Sequence, residues 1–76
     1  PIPVEKQIVA IYAGTNGYLD DLPVEAVRKF ERELYAYLDR QRPDILKDIR
    51  EKKALDDDIK RRIDEALKDF KSKFTP

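Results

Sequence analysis

Cysteine, histidine, methionine and tryptophan are all absent from these 76 residues. Without cysteine there is no disulfide framework and no thiol nucleophile. Without histidine there is no imidazole base and no zinc cluster of the usual kind. No apolar run approaches the roughly 18 residues that would suggest a membrane span, and the first residues form no basic-then-apolar signal sequence. The chain is expected to be soluble, with no direct membrane insertion. The missing methionine, the opening Pro1-Ile2-Pro3 and the equally abrupt end at Pro76 lead to a further expectation: the sequence is an excised piece, and its function belongs to a longer polypeptide.

What is present is charge in balance. Sixteen basic residues meet 16 acidic ones, giving a formal net charge of +0. A domain held on nucleic acid by counterion release usually carries a clear positive excess, so no nucleic-acid partner is implied. With 41% apolar and 42% charged residues, a chain this short buries only roughly 60% of its unfolded surface. The core must be thin and the helices well exposed.

The first segment, residues 4–13, poses a choice between helix and strand. Val4, Ile8, Ile11 and Tyr12 share a helical face, whereas the β-branched cluster from Ile8 to Ile11 also suits a buried strand. Its six apolar residues from Ile8 to Ala13 leave little polar face, which predicts burial on more than one side. Pro3 suits a first helical turn, as does Pro23 after the connector at residues 18–23. The helix from Pro23 is the clearest. Val24, Val27, Phe30, Leu34, Tyr37 and Leu38 recur at steps of three or four, with Tyr35 at the edge. Pro43 disfavours helical geometry at Arg42, so this helix ends by about Gln41 and another begins.

That third helix takes Ile45, Leu46 and Ile49 as its apolar edge and fades near Lys52-Lys53. Asp56 is a natural N-cap for the last helix, with Asp57 and Asp58 in its positively polarised first turn. Its stripe is Ile59, Ile63, Ala66, Leu67, Phe70 and Phe74. Glu25–Lys29, Asp57–Arg61, Asp58–Arg62 and Asp64–Lys68 stand at the favourable i,i+4 spacing. No repeat, low-complexity tract or Gly/Ser linker divides the chain, and its three connectors are short enough to join neighbouring helices. The expected fold is all-α, a bundle of about four helices over residues 1–76.

Several constellations invite a chemical reading and each has a plainer one beside it. Gly14-Thr15-Asn16-Gly17 invites comparison with a phosphate loop, but its glycine pattern is wrong and it lacks the Lys-Ser/Thr that completes one; a helix-ending turn with Gly14 or Gly17 left-handed explains it. Asp20-Asp21 lacks the further ligands of a calcium loop and fits a turn before a helix. Capping accounts for Asp56, Asp57 and Asp58. Between residues 40 and 53, six basic side chains (Arg40, Arg42, Lys47, Arg50, Lys52 and Lys53) outnumber Asp44, Asp48 and Glu51. Such a surplus can touch phosphate or an acidic partner, or be a solvated face. Tyr12, Tyr18, Tyr35 and Tyr37 would need exposed rings beside basic grooves to stack on bases. Tyr12 and Tyr37 fall on apolar faces and read as core, while Tyr18 either docks under its own loop or meets another chain. The residues alone nominate no catalytic, cofactor or metal site.

The order of segments carries a resemblance. Pro3-Val4-Glu5-Lys6-Gln7, the block Ile11-Tyr12-Ala13-Gly14-Thr15-Asn16-Gly17-Tyr18-Leu19-Asp20-Asp21, then Pro23-Val24-Glu25 and Phe30-Glu31 resemble the C-terminal end of the alpha subunits of bacterial F-type ATP synthases. The likeness continues through Leu38, Asp48-Ile49-Arg50-Glu51 and Ala54-Leu55 to Lys68, Phe70-Lys71 and Phe74. It implies the C-terminal part of a larger helical domain, set below a nucleotide-binding domain in a subunit that alternates with beta subunits around a rotating gamma shaft. ATP or ADP, magnesium, the P-loop and the catalytic arginine belong upstream in that family, so no catalytic residue and no cofactor is expected here. The implied location is the cytoplasmic face of the bacterial inner membrane, in a peripheral complex that couples proton translocation to ATP synthesis.

Two departures stand out: Lys53 occupies a position where related sequences often have Gly, which would end the third helix differently or lengthen it, and Asp56 replaces a frequent Ser. If upstream helices are missing, the first helix lacks cover and the isolated chain is expected to self-associate or loosen. The alternative function is an autonomous helical module whose basic third helix docks an anionic partner.

Overall fold

The computed structural model describes residues 2–75 as four helices in chain order: α1 (Val4–Thr15), α2 (Val24–Gln41), α3 (Pro43–Lys52) and α4 (Asp57–Lys73). The first segment is thus a helix, and no strand occurs among the described residues. Proline and acidic chemistry set the starts. Pro3 and Pro23 stand just outside α1 and α2, one residue earlier than a first-turn position, and their carbonyls accept from Lys6 N at 3.1 Å and Ala26 N at 2.9 Å. Pro43 opens α3 from inside its first turn, where a missing N–H costs nothing. Asp56 caps α4 by accepting from Ile59 N at 2.8 Å.

The stops have local causes as well. Gly17, at φ 83°, supplies the left-handed residue in the turn after α1, while Gly14 remains helical. Lys53 takes φ 55° and donates its N–H to Ile49 O at 2.8 Å, ending α3 at Lys52 without lengthening it. A lysine therefore holds a left-handed cap that glycine would hold with less steric conflict.

The core lies where α3 meets the other three helices. Phe30, Leu34 and Leu38 from α2, Ile45, Leu46 and Ile49 from α3, and Ile59, Ile63, Ala66, Leu67 and Phe70 from α4 are buried together with Val9 and Ala13 of α1. Phe30 meets both Phe70 and Phe74 edge-on at 5.1 Å, which ties α2 to the end of α4. The Cα radius of gyration, 11.6 Å, is close to the roughly 11.4 Å of a compact chain of this length.

Three expected faces are corrected. Val24 is 87% exposed and Ala26 is buried in its stead, so the α2 stripe begins later than periodicity suggested. On α1 the inward positions are Val9, Ala10 and Ala13, while Val4 and Ile11 are each 66% exposed. The helix is rotated by about one position from the predicted face, and the predicted burial of α1 on several sides does not occur within this chain. Small side chains at Ala10 and Ala13 suit close packing of α1, and the bulk of Ile11 is left outside. Third, Tyr12 and Tyr37 are half-buried rather than core, their rings packed against it and their hydroxyls reaching outward to carboxylates.

Candidate functional site

The exposed apolar side chains of α1 form the most unusual surface. Two shallow grooves meet at Ile8: one of about 380 Å³ lined by Val4, Glu5, Ile8, Ile49, Arg50 and Lys53, and one of about 230 Å³ lined by Ile8, Ile11, Tyr12, Thr15, Asn16 and Leu55. Ile2, 46% exposed, lies at the start of the same segment. Beside the first groove Arg50 donates to Glu5 at 2.9 Å. A backbone hydrogen bond and then this guanidinium hold the Glu5 carboxyl below its ordinary range. An apolar strip with a paired rim offers contact area.

The turn after α1 is fixed by a convergence that local spacing does not announce. Tyr12 and Tyr18 both donate to the Asp64 carboxylate on α4, at 3.0 and 2.9 Å. Burial, followed by the hydrogen bond to Asp64, pushes the Tyr18 hydroxyl up to about 12 and raises that of Tyr12. Tyr18 thus docks on its own chain. Among the described residues Asp64 has these phenols as partners and not Lys68 as its i,i+4 spacing suggested. Tyr37 donates to Asp69 at 2.8 Å, and burial with that bond lifts it to about 12. Tyr35 is raised by burial and by Glu31. The hydroxyls of Tyr12, Tyr18 and Tyr37 are thus each engaged by a carboxylate, while the Tyr37 ring lines a shallow groove with Arg40 and Lys73.

The acidic constellations disperse. Asp21 accepts from Lys71 at 2.6 Å, pinning the connector to α4, while Asp20 makes no such bond among the described residues. Asp56 caps, Asp58 accepts from Arg61 and Arg62, and Asp57 lies in the first turn of α4. Asp57–Arg61 and Glu25–Lys29 do not form: Arg61 turns to Asp58 and Glu65, and Lys29 donates to Thr75 O at 2.9 Å. Among the described residues no group of acidic side chains is placed to hold a metal ion.

The basic stretch is likewise engaged. Arg42 pairs with Asp44, Lys47 with Glu51, Arg50 with Glu5 and Lys52 with Asp56. Only Arg40 and Lys53 of the six lack an ion pair among the described residues. The strongest convergence is at Arg62 of α4, whose guanidinium reaches Asp44 at 3.0 Å, Asp58 at 3.1 Å and also Asp48. Sequence spacing showed the Asp58 contact and could not show the other two, which come from α3. Hydrogen bonding to Asp48 leads the effects that raise the Arg62 pKa, so it stays charged. On Asp44, burial acts upward but the hydrogen bonds from Arg42 and Arg62 prevail, and its pKa is lowered. These charges stitch α3 to α4 and leave little free for an anionic partner.

Four helices and no strand among the described residues, with α3 and α4 stitched by ion pairs, define an all-α class of protein. Residues 1–70 match the family described as ATP synthase alpha/beta chain, C terminal domain. The chain is also 72% identical over 76 residues to the ATP synthase subunit alpha of Aquifex aeolicus (strain VF5), with 100% of this chain covered. This chain belongs to the ATP synthase alpha/beta C-terminal domain family. It spans 15% of the length of that relative. No helix among the described residues is long and apolar enough to cross a membrane.

Proposed function

We propose that the chain serves as the C-terminal helical part of an F-type ATP synthase alpha subunit, residues 1–76 acting as one unit in the collar of helices around the gamma rotor shaft. The carrying observation is the 72% identity to a subunit alpha across the whole chain. In this role it contributes no catalytic, cofactor-binding or metal-binding residue. ATP or ADP with magnesium binds in the upstream part of the subunit, and beta subunits flank it. The whole is a peripheral complex at the cytoplasmic face of the bacterial inner membrane, coupling proton translocation to rotary ATP synthesis and hydrolysis.

The physical arrangement supports a buttressing role. Cross-helix ion pairs at Arg62 and Lys6–Asp39 hold helices to one another and Lys71–Asp21 holds the connector to α4, and the apolar side chains of Val4 and Ile11 on α1 face outward where the rest of a larger subunit can cover them. The test is deletion of this stretch from the intact alpha subunit. Assembly of the catalytic head is expected to fail or the complex to dissociate readily, with coupled ATP synthesis lost. Normal assembly and normal coupling after the deletion would overturn the proposal.

A further inference from the structure

The turn closing α1 holds the chain's sole asparagine, Asn16, directly before Gly17. That pairing has intrinsic chemistry. A bond from the Gly17 nitrogen to the Asn16 side-chain carbon Cγ would close a five-membered ring, and a residue without a side chain places no steric obstacle in the way of that approach. Asparagine is among the thermolabile residues. Asn16 is exposed, so water has access to whatever forms there.

The folded turn restrains the same reaction. Asn16 Nδ2 donates to the Tyr12 carbonyl at 2.9 Å, tying the side-chain amide to the residue one turn back. The Asn16 backbone N–H donates to that same oxygen at 3.0 Å. Gly17 is held less firmly, its N–H reaching Gly14 O at 3.4 Å. Attack requires the Asn16 amide to leave the Tyr12 carbonyl and turn toward Gly17.

We propose that Asn16-Gly17 is a self-modification site, a deamidating bond pair restrained by the Tyr12 cap and released when the turn opens. The Gly17 nitrogen bonds to Asn16 Cγ, the bond from Cγ to Nδ2 breaks, and the proton lost from Gly17 N leaves with Nδ2 as ammonia. The cyclic imide then takes up one water. Opening at the Cγ–N bond gives aspartate, and opening at the main-chain carbonyl gives isoaspartate. In sum one amide and one water become one carboxylic acid and one ammonia, and no other reactant is needed.

Either product alters the turn. A carboxylate at position 16 cannot donate to the Tyr12 carbonyl, and it adds negative charge at the negative end of α1. Isoaspartate also inserts an extra carbon into the main chain two residues before Tyr18. Tyr18 N donates to Ala13 O at 2.9 Å and its hydroxyl to Asp64 at 2.9 Å, so the tie between the turn and α4 is the contact disturbed.

The purified chain, its folding checked by helical circular dichroism, is incubated at mildly alkaline pH in buffer and in denaturant, then analysed by intact mass and peptide mapping. The amide-to-acid mass increment should accumulate at residue 16, with isoaspartate among the products, faster in denaturant than in buffer. It should be lost in Asn16→Gln. Converted chain should exchange the Tyr18 amide faster than unconverted chain. No increment at residue 16 in either solution overturns the site, and equal rates in folded and denatured samples overturn the restraint by the Tyr12 cap.

Discussion

Asp64 accepts from two phenols that come from different places, Tyr12 in α1 and Tyr18 in the turn beyond it. Hydrogen bonds to an ionised acceptor contribute more than neutral ones, and removing a shared acceptor leaves both donors to find water at a half-buried position. Asp64→Ala is therefore expected to destabilise the chain by about 2 kcal/mol, read as a lower denaturant midpoint at unchanged slope. Tyr12→Phe and Tyr18→Phe should each cost less, and their effects should not add, because the two donors share one carboxylate. A midpoint unmoved by Asp64→Ala would mean that solvent already satisfies both phenols.

The same tyrosines set an alkaline limit. Tyr18 and Tyr37 move from an ordinary 10.0 to about 12 in the folded chain, chiefly through burial. Unfolded tyrosines release their protons first, so between these values the unfolded state binds fewer protons than the folded one. Stability then falls as pH rises. The contribution is complete below about 10 and gone above about 12, and the denaturant midpoint should drop across that window as tyrosinate absorbance appears. At this scale the sequence was legible only where partners are neighbours in the chain. The Asp56 cap and the Asp58–Arg62 pair could be read from neighbouring residues, but the partners of Asp64 are 46 and 52 residues away and the other two of Arg62 are 14 and 18 away, beyond any local spacing rule.

Helix ends were more legible than helix faces. Pro23, Pro43 and Asp56 act through fixed backbone geometry or local hydrogen bonds, which depend on a few successive residues, and α2, α3 and α4 begin where those residues stand. Faces depend on what covers them. The near-continuous apolar run of α1 does not specify its own rotation, and only packing against α2 and α3 chooses Val9, Ala10 and Ala13 over Val4 and Ile11. Val24 likewise continues the spacing of α2 but stands in its first turn, outside the covered region. The stop of α3 yields a sharp prediction. Lys53 at φ 55° carries a Cβ in the left-handed region, a conformation that costs roughly 1 kcal/mol for a residue other than glycine. Lys53→Gly should stabilise the chain by about that amount, less the extra entropy glycine has when unfolded. Since Lys53 has no ion pair among the described residues, no charge contact opposes the gain. A lower melting temperature for Lys53→Gly would show that the lysine stem contributes packing along the groove it lines with Val4 and Ile8.

For the molecule as a whole, the buried interior and the outward α1 face make opposite demands on mutation. Leu34, Ile45 and Ile63 are fully buried, and truncating any of them to alanine would cost several kcal/mol in every context, roughly 2–5 by the behaviour of buried aliphatics. Val4 and Ile11 are different because they are exposed in this chain. Val4→Glu and Ile11→Glu should change the stability of the free chain by no more than about 0.5 kcal/mol, as surface substitutions do. In the assembled subunit the proposed collar covers that face, and a carboxylate placed there must lose its water without gaining a partner. The double variant is therefore expected to melt like the parent sequence when isolated and to incorporate poorly into the catalytic head, measured by co-purification with beta subunits. Poor stability of the isolated variant would place the two side chains in the chain's own core. Undiminished incorporation would show that the α1 face stays in water in the assembly, and the reason for its apolar character would then have to be sought outside subunit packing.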